Sequence, residues 1–240
     1  MQETKISDKL KININLFVNK LKGAFGDDLI SVILYGSAAS GEFVDNRSDL
    51  NFLIILKDSA ISVLKKGAKI VDKFPTFEPL FLTEEYISRS TDIFPIEFLD
   101  MKENYTVIYG KDLLKDIEVD IKNLRFQCEH ELRIKLISLR QLYLKSSKDK
   151  RLLLYALLKS FTSALHISRN VLRLKGKTPP YKKDLIITEL AKVLSIDVSA
   201  WEKILAVKNK KEHLNKAGID CLFLKFIEEL EKTVELVDKL

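Results

Sequence analysis

Two apolar runs of strand length, Leu29–Leu34 (LISVIL) and Leu50–Leu56 (LNFLIIL), stand fifteen residues apart with a polar segment between them. Their β-branched and aromatic content and their shortness predict buried strands. The first run feeds directly into Tyr35-Gly36-Ser37, and the second opens on Asp49-Leu50-Asn51 after a loop holding Asp45, Asn46 and Arg47. A chain with this pairing has to build a sheet early, and its chemistry-bearing residues then collect at one sheet edge.

The rest of the sequence sorts around that sheet. Leu10, Ile14, Phe17, Val18, Leu21 and Phe25 recur at helical spacing, and Gly26 is a natural stop. Ser59–Phe74 is expected to be helical and to end at Pro75. Phe77–Leu82 is expected as a third strand, Thr83–Ser90 as a short helix capped by Thr83, and Ile93–Met101 as a fourth strand. After Asp116 the strand pattern disappears. Asp120–Leu144, Leu152–Leu174, Leu185–Leu194 with Trp201–Val207, and Leu222–Leu240 all carry helix-spaced apolar residues, punctuated by Ser146-Ser147 and Gly176-Lys177-Thr178-Pro179-Pro180. The expected fold class is α+β: a mixed sheet with flanking helices over residues 1–115, then a bundle of four or five helices over 116–240.

Composition narrows the function classes. Hydrophobic residues at 46% with 31% charged suit a globular chain. No apolar run approaches membrane-spanning length, and Met1–Leu10 has no apolar signal region, so neither a membrane nor a secretory route is expected. Two distant cysteines, Cys128 and Cys221, form no disulfide framework or metal knuckle, in keeping with a reducing cytoplasm. Residues up to Lys115 hold 15 basic against 17 acidic side chains; those from Asp116 hold 25 against 17. The basic residues are scattered and lack interleaved aromatic platforms, which argues against nucleic acid as a partner.

Glycine at a strand end lets backbone approach a triphosphate, and a following serine adds a hydroxyl. Residues i and i+2 of a strand share a face, so Asp49 and Asn51 would converge beside phosphates held by Gly36 and Ser37. Phosphoryl transfer needs divalent cations at such a spot. Gly36-Ser37, the spacer with Gly41, and Ser48-Asp49-Leu50-Asn51 together resemble the signature of the polymerase-β nucleotidyltransferase superfamily. Within it they are most similar to the small bacterial branch that includes kanamycin-type aminoglycoside nucleotidyltransferases. The motif and its strand context cover roughly the first ~110 residues; the helical half is similar in architecture alone.

The resemblance implies binding of a nucleoside triphosphate such as ATP with Mg²⁺ between two domains, and transfer of its nucleoside monophosphate to a hydroxyl on a small molecule or a protein. It implies that Gly36, Ser37, Arg47 and Ser48 contact the nucleotide and that Asp49 and Asn51 hold metal. The family carries aspartate where this chain has Asn51, which keeps an oxygen donor and loses a negative charge. A third carboxylate is expected on a later strand, with Glu78 and Glu97 as the two candidates. The alternative is a catalytically degenerate fold that senses nucleotide or binds a protein, its bundle serving as an interaction surface, for a homodimer among others.

Other suggestive residues have plainer readings. Cys128-Glu129-His130 fan out around a helix and cannot chelate one ion, so Cys128 should pack inward with Leu124 and Leu132 while Glu129 pairs with Arg133. His166 and His213 have no second ligand at metal spacing. Lys175, Lys177, Lys182 and Lys183 read as a solvated turn.

Overall fold

A computed structural model describes residues 7–40, 49–58 and 60–240. Contacts divide the chain into two compact units, Met1–Val119 and Asp120–Leu240.

The first unit opens with α1 (Asp8–Phe25), whose three-four spacing buries Ile14, Phe17, Val18, Leu21 and Phe25. A single 3₁₀ turn, Gly26–Asp28, leads into β1 (Leu29–Tyr35), and a short helix α2 (Ser37–Ser40) follows Gly36. Then come β2 (Leu50–Leu56), α3 (Ile61–Val71), β3 (Phe77–Thr83), α4 (Glu84–Ser90), α5 (Pro95–Glu103) and β4 (Tyr105–Gly110). The four strands form one mixed sheet in the order β3-β2-β1-β4. β1 lies antiparallel to β2 and β4, whereas β2 and β3 run parallel, joined through α3. β3 is an edge strand, which is why it tolerates Pro79 at a ladder position.

Both faces of the sheet are covered, so β1 and β2 are apolar nearly throughout. On one face Val32, Leu34, Phe52, Ile54 and Phe77 pack against α1, with Phe17 set 5.1 Å, centroid to centroid, from each of Phe52, Phe74 and Phe77. On the other, Ile33, Leu53 and Ile55 pack with Ile87 of α4 and Phe98 and Met101 of α5. Thr83 caps α4 as its sequence suggests, its hydroxyl accepting from the Tyr86 N–H at 3.0 Å.

One sequence expectation is overturned. Ile93–Met101 is not a strand: Pro95 begins α5, where a missing N–H costs nothing and the ring's φ is already helical. Phe98 and Met101 share the core side at helical spacing, while Ile93 and Phe94 are exposed. The fourth strand is instead Tyr105–Gly110, which lies beside β1. It ends at Gly110 with φ +82°, where a Cβ would fall 1.9 Å from the Ile30 carbonyl oxygen. Only glycine permits that approach.

The second unit is helical throughout: α6 (Ile121–Ser146), α7 (Lys150–Leu174), α8 (Lys183–Leu194), α9 (Ser199–Lys208) and α10 (Lys216–Asp238). Side-chain caps start three of them, Asp120 for α6, Asp149 for α7 and Asn215 for α10. Leu124, Cys128 and Leu132 are fully buried on α6, and Trp201 packs between Phe161 and Phe226. Glu129 accepts from Arg133 at 2.7 Å and from Arg125 at 2.9 Å; the Arg133 contact is the main reason its carboxyl is held below the ordinary range. Among the described residues, no helix is long and apolar enough to cross a membrane.

Candidate functional site

The end of β1 and the start of β2 are tied together by local geometry. Gly36 takes φ +78°, a left-handed turn that side-chain-bearing residues adopt only with strain. Its N–H donates to the Asn104 carbonyl at 3.0 Å, and its own carbonyl accepts from Ala39 at 3.0 Å. A Cβ at Gly36 would lie 3.2 Å from the Asn51 amide nitrogen. The glycine turn and Asn51 are therefore neighbours. Ser37 follows as the first residue of α2 and is half-buried.

Strand register sets what stands beside Asn51. On β1 its partner is Tyr35, and on β3 its partner is Glu78. Tyr35 in turn pairs with Tyr105 of β4. Tyr105, Tyr35, Asn51 and Glu78 thus form one row across the sheet, with neighbouring strands roughly 4.8 Å apart. Asp49 stands one residue before β2 and is exposed, as is Glu78, while Asn51 and Tyr35 are half-buried. Leu50 anchors this edge by donating its N–H to Thr76 at 3.0 Å, just ahead of β3.

The row is electrostatically active. Burial, and then the negative charge of Glu78, push the Tyr35 phenol above its usual value. Tyr105 is pushed up to about 12, by burial first and then by the hydrogen bond it donates to Asp112 at 3.0 Å. Neither tyrosine stood out in the sequence as a site residue, although each sits at a strand end against the Gly36 turn.

Of the two candidates for a third carboxylate, only Glu78 is on the sheet. Glu97 is exposed in the first turn of α5, so the expectation that placed it on a strand is corrected. Helical geometry sends its neighbours Phe98 and Met101 inward instead. Gly41, Asp45, Asn46, Arg47 and Ser48 lie outside the described residues. Glu78 also borders a surface cavity of about 590 Å³ beside α3. Phe77, Pro79 and Phe81, which line much of it, alternate to the opposite face from Glu78, so that cavity is largely separate from the row.

The donors at this edge are hard oxygens: the Asp49 and Glu78 carboxylates and the Asn51 amide. That set fits one Mg²⁺, which keeps several waters and needs only one or two carboxylates beside substrate phosphates. Among the described residues, no three His, Cys, Asp or Glu side chains gather closely enough to hold an ion by themselves.

Comparison with known proteins bears on the fold. No protein-family profile matches the chain. The spectinomycin adenyltransferase AAD(9) of Enterococcus faecialis, solved with ATP and spectinomycin, superposes with a TM-score of 0.54 over 90% of this chain and 99% of that one, at 17% identity. The chain shares that adenyltransferase's fold, a nucleotidyltransferase fold. In this nucleotidyltransferase fold the ends of the two central strands carry Gly36, Ser37, Asp49 and Asn51, and the helical unit follows in sequence. A proposed protein adenylyltransferase of Methanocaldococcus jannaschii is 46% identical over 54 residues, 22% of this chain. That match spans only 36% of the relative's own length.

Proposed function

We propose that this protein binds a nucleoside triphosphate, ATP by preference, with Mg²⁺ at the Gly36–Asn51 edge and transfers its adenylyl group to a hydroxyl. One observation carries the reading: strand register sets Asn51 between the Gly36 turn and Glu78, two residues after Asp49. The Gly36 backbone and the Ser37 hydroxyl bind phosphate oxygens, with Arg47 and Ser48 assigned to the same ligand by the sequence motif. Asp49, with Asn51 and Glu78, holds the cation. When bound, Mg²⁺ neutralises phosphate charge during the in-line displacement. Glu78 is the base that takes the acceptor proton as the acceptor oxygen attacks the α-phosphorus and pyrophosphate leaves. The two similar proteins support AMP as the transferred group. They differ in acceptor, which leaves a small hydroxylated molecule and a protein side chain as the two classes to screen. Cys128 is buried and Cys221 exposed, and neither is in a disulfide, which suits a reducing cytoplasm.

A second reading is favoured by one residue. Asn51 removes a negative charge where two-ion chemistry needs one, so the fold would bind nucleotide without turnover. A thermal-shift titration with each of the four NTPs, with and without Mg²⁺, tests nucleotide binding for both readings. A Mg²⁺-dependent rise with ATP that disappears in Asp49→Ala is expected, since binding to the folded state raises its stability by mass action. Transfer of label from α-³²P-ATP to spectinomycin, other aminocyclitols or protein then separates enzyme from sensor. No shift with any NTP at millimolar concentration overturns both.

A further inference from the structure

Helix α6 is apolar on two faces. Leu124, Cys128, Leu132, Leu136 and Leu139 are buried on the side that meets α7 and α10. A second stripe runs along the other side: Phe126, His130, Ile134, Ile137, Gln141 and Leu144, which fall within an arc of about 80° and span about 27 Å. Phe126 is 65% exposed, Ile134 46%, Ile137 54% and Leu144 82%. The rings of Phe126 and His130 stack on this surface at 6.3 Å. A helix with one apolar face packed ordinarily turns a polar face to water. This one does not.

The order of residues identifies the occupant. Counted inward from either end, the stripe reads the same: apolar Phe126 and Leu144, polar His130 and Gln141, apolar Ile134 and Ile137. Two copies packed antiparallel about a two-fold axis therefore set Phe126 on Leu144, His130 on Gln141 and Ile134 on Ile137. One flank of the stripe carries Glu129, Arg133 and Arg140, and such a flank meets its own copy under that axis. Both cations are paired within their own copy, Arg133 with Glu129 at 2.7 Å and Arg140 with Glu231 at 2.6 Å, so the flanking cations do not drive the copies apart.

Area points the same way. The four apolar side chains expose roughly 450 Å² per copy, taking ~150–200 Å² as a whole large side chain. The exposed polar side chains around them, His130, Arg133, Ser138, Gln141 and Lys145, supply the rim that brings the face toward the ~800 Å² per partner of a standard interface. We infer that the protein is a homodimer in which α6 of one copy packs antiparallel on α6 of the other through the Phe126–Leu144 stripe. This does not depend on the nucleotide reading.

Sedimentation equilibrium of the full chain from about 1 to 100 μM is the test. A dimer is expected, and Ile137→Lys or Leu144→Lys should weaken it by about tenfold or more while leaving helical circular dichroism unchanged. Direction is read by cross-linking in a Cys221→Ser background. His130→Cys chains mixed with Gln141→Cys chains should form a disulfide between the two types, with neither type joining to itself. A monomer at 100 μM, a dimer indifferent to both lysine substitutions, or self-linked His130→Cys chains would each overturn the inference.

Discussion

Asn51 puts an amide where a carboxylate would give the Gly36 edge one more negative charge. The amide oxygen can still ligate, but a cation held by Asp49 and Glu78 gains less Coulombic energy from it. Asn51→Asp should therefore tighten Mg²⁺-dependent ATP binding by about tenfold, equivalent to ~1.4 kcal/mol. In the absence of Mg²⁺ the same change should weaken ATP binding, because a third carboxylate then faces the triphosphate. Isothermal titration with and without the ion measures both arms. A variant that binds more weakly under both conditions would mean that Asn51 holds the ligand through its N–H₂ group and that the cation site lies elsewhere. The residues of this edge differ in how far they could be read in advance. Gly36, Asp49 and Asn51 are legible because a turn glycine and an acid-amide pair flank strand-length apolar runs. Glu78 beside Asn51 is not, since that neighbour is created by parallel pairing of β2 with β3 across 27 residues.

At the level of elements, α9 shows how a helix can borrow its start from elsewhere in the fold. Its own N-cap position, Val198, offers no side-chain acceptor. Glu229 of α10 fills that role: both carboxylate oxygens accept from the Ala200 N–H at 3.1 Å, and one accepts from the Ser199 hydroxyl at 3.2 Å. Glu229 is buried, and burial pushes its carboxyl above the ordinary range despite those bonds. A raised carboxyl binds its proton more readily folded than unfolded, so its contribution to stability erodes as pH rises from the usual glutamate value through the raised one. Glu229→Gln removes that titration. Melting temperatures measured from pH 4 to 8 should show the variant gaining on wild type across this window, and parallel curves would show that Glu229 is unperturbed. The same scale explains the misread element, Ile93–Met101, and the strand given no assignment, Tyr105–Gly110. Both are short and apolar, and periodicity alone does not separate a buried strand from a one-sided helix at that length. Pro95 at a first helical turn and the alternation of Tyr105, Val107 and Tyr109 before a glycine are the signals that do.

The whole chain joins two units that each close a core of their own. The first is built around the mixed sheet, with the Phe17–Phe52–Phe77 cluster on one face and Ile33, Leu53 and Phe98 on the other. The second is built from α6 to α10 and holds the chain's single tryptophan, Trp201, fully buried against Phe226 at 5.1 Å. Intrinsic tryptophan fluorescence therefore reports the helical unit alone, whereas far-ultraviolet circular dichroism reports both. If each core is sufficient for folding, residues 120–240 expressed alone should be helical and unfold cooperatively in urea. Its fluorescence midpoint should then match the Trp201 transition of the full chain, while the dichroism of the full chain spreads over two transitions. A single transition in the full chain, seen alike by both probes and at higher urea than in the isolated fragment, would show that the sheet unit lends the bundle stability its own core lacks.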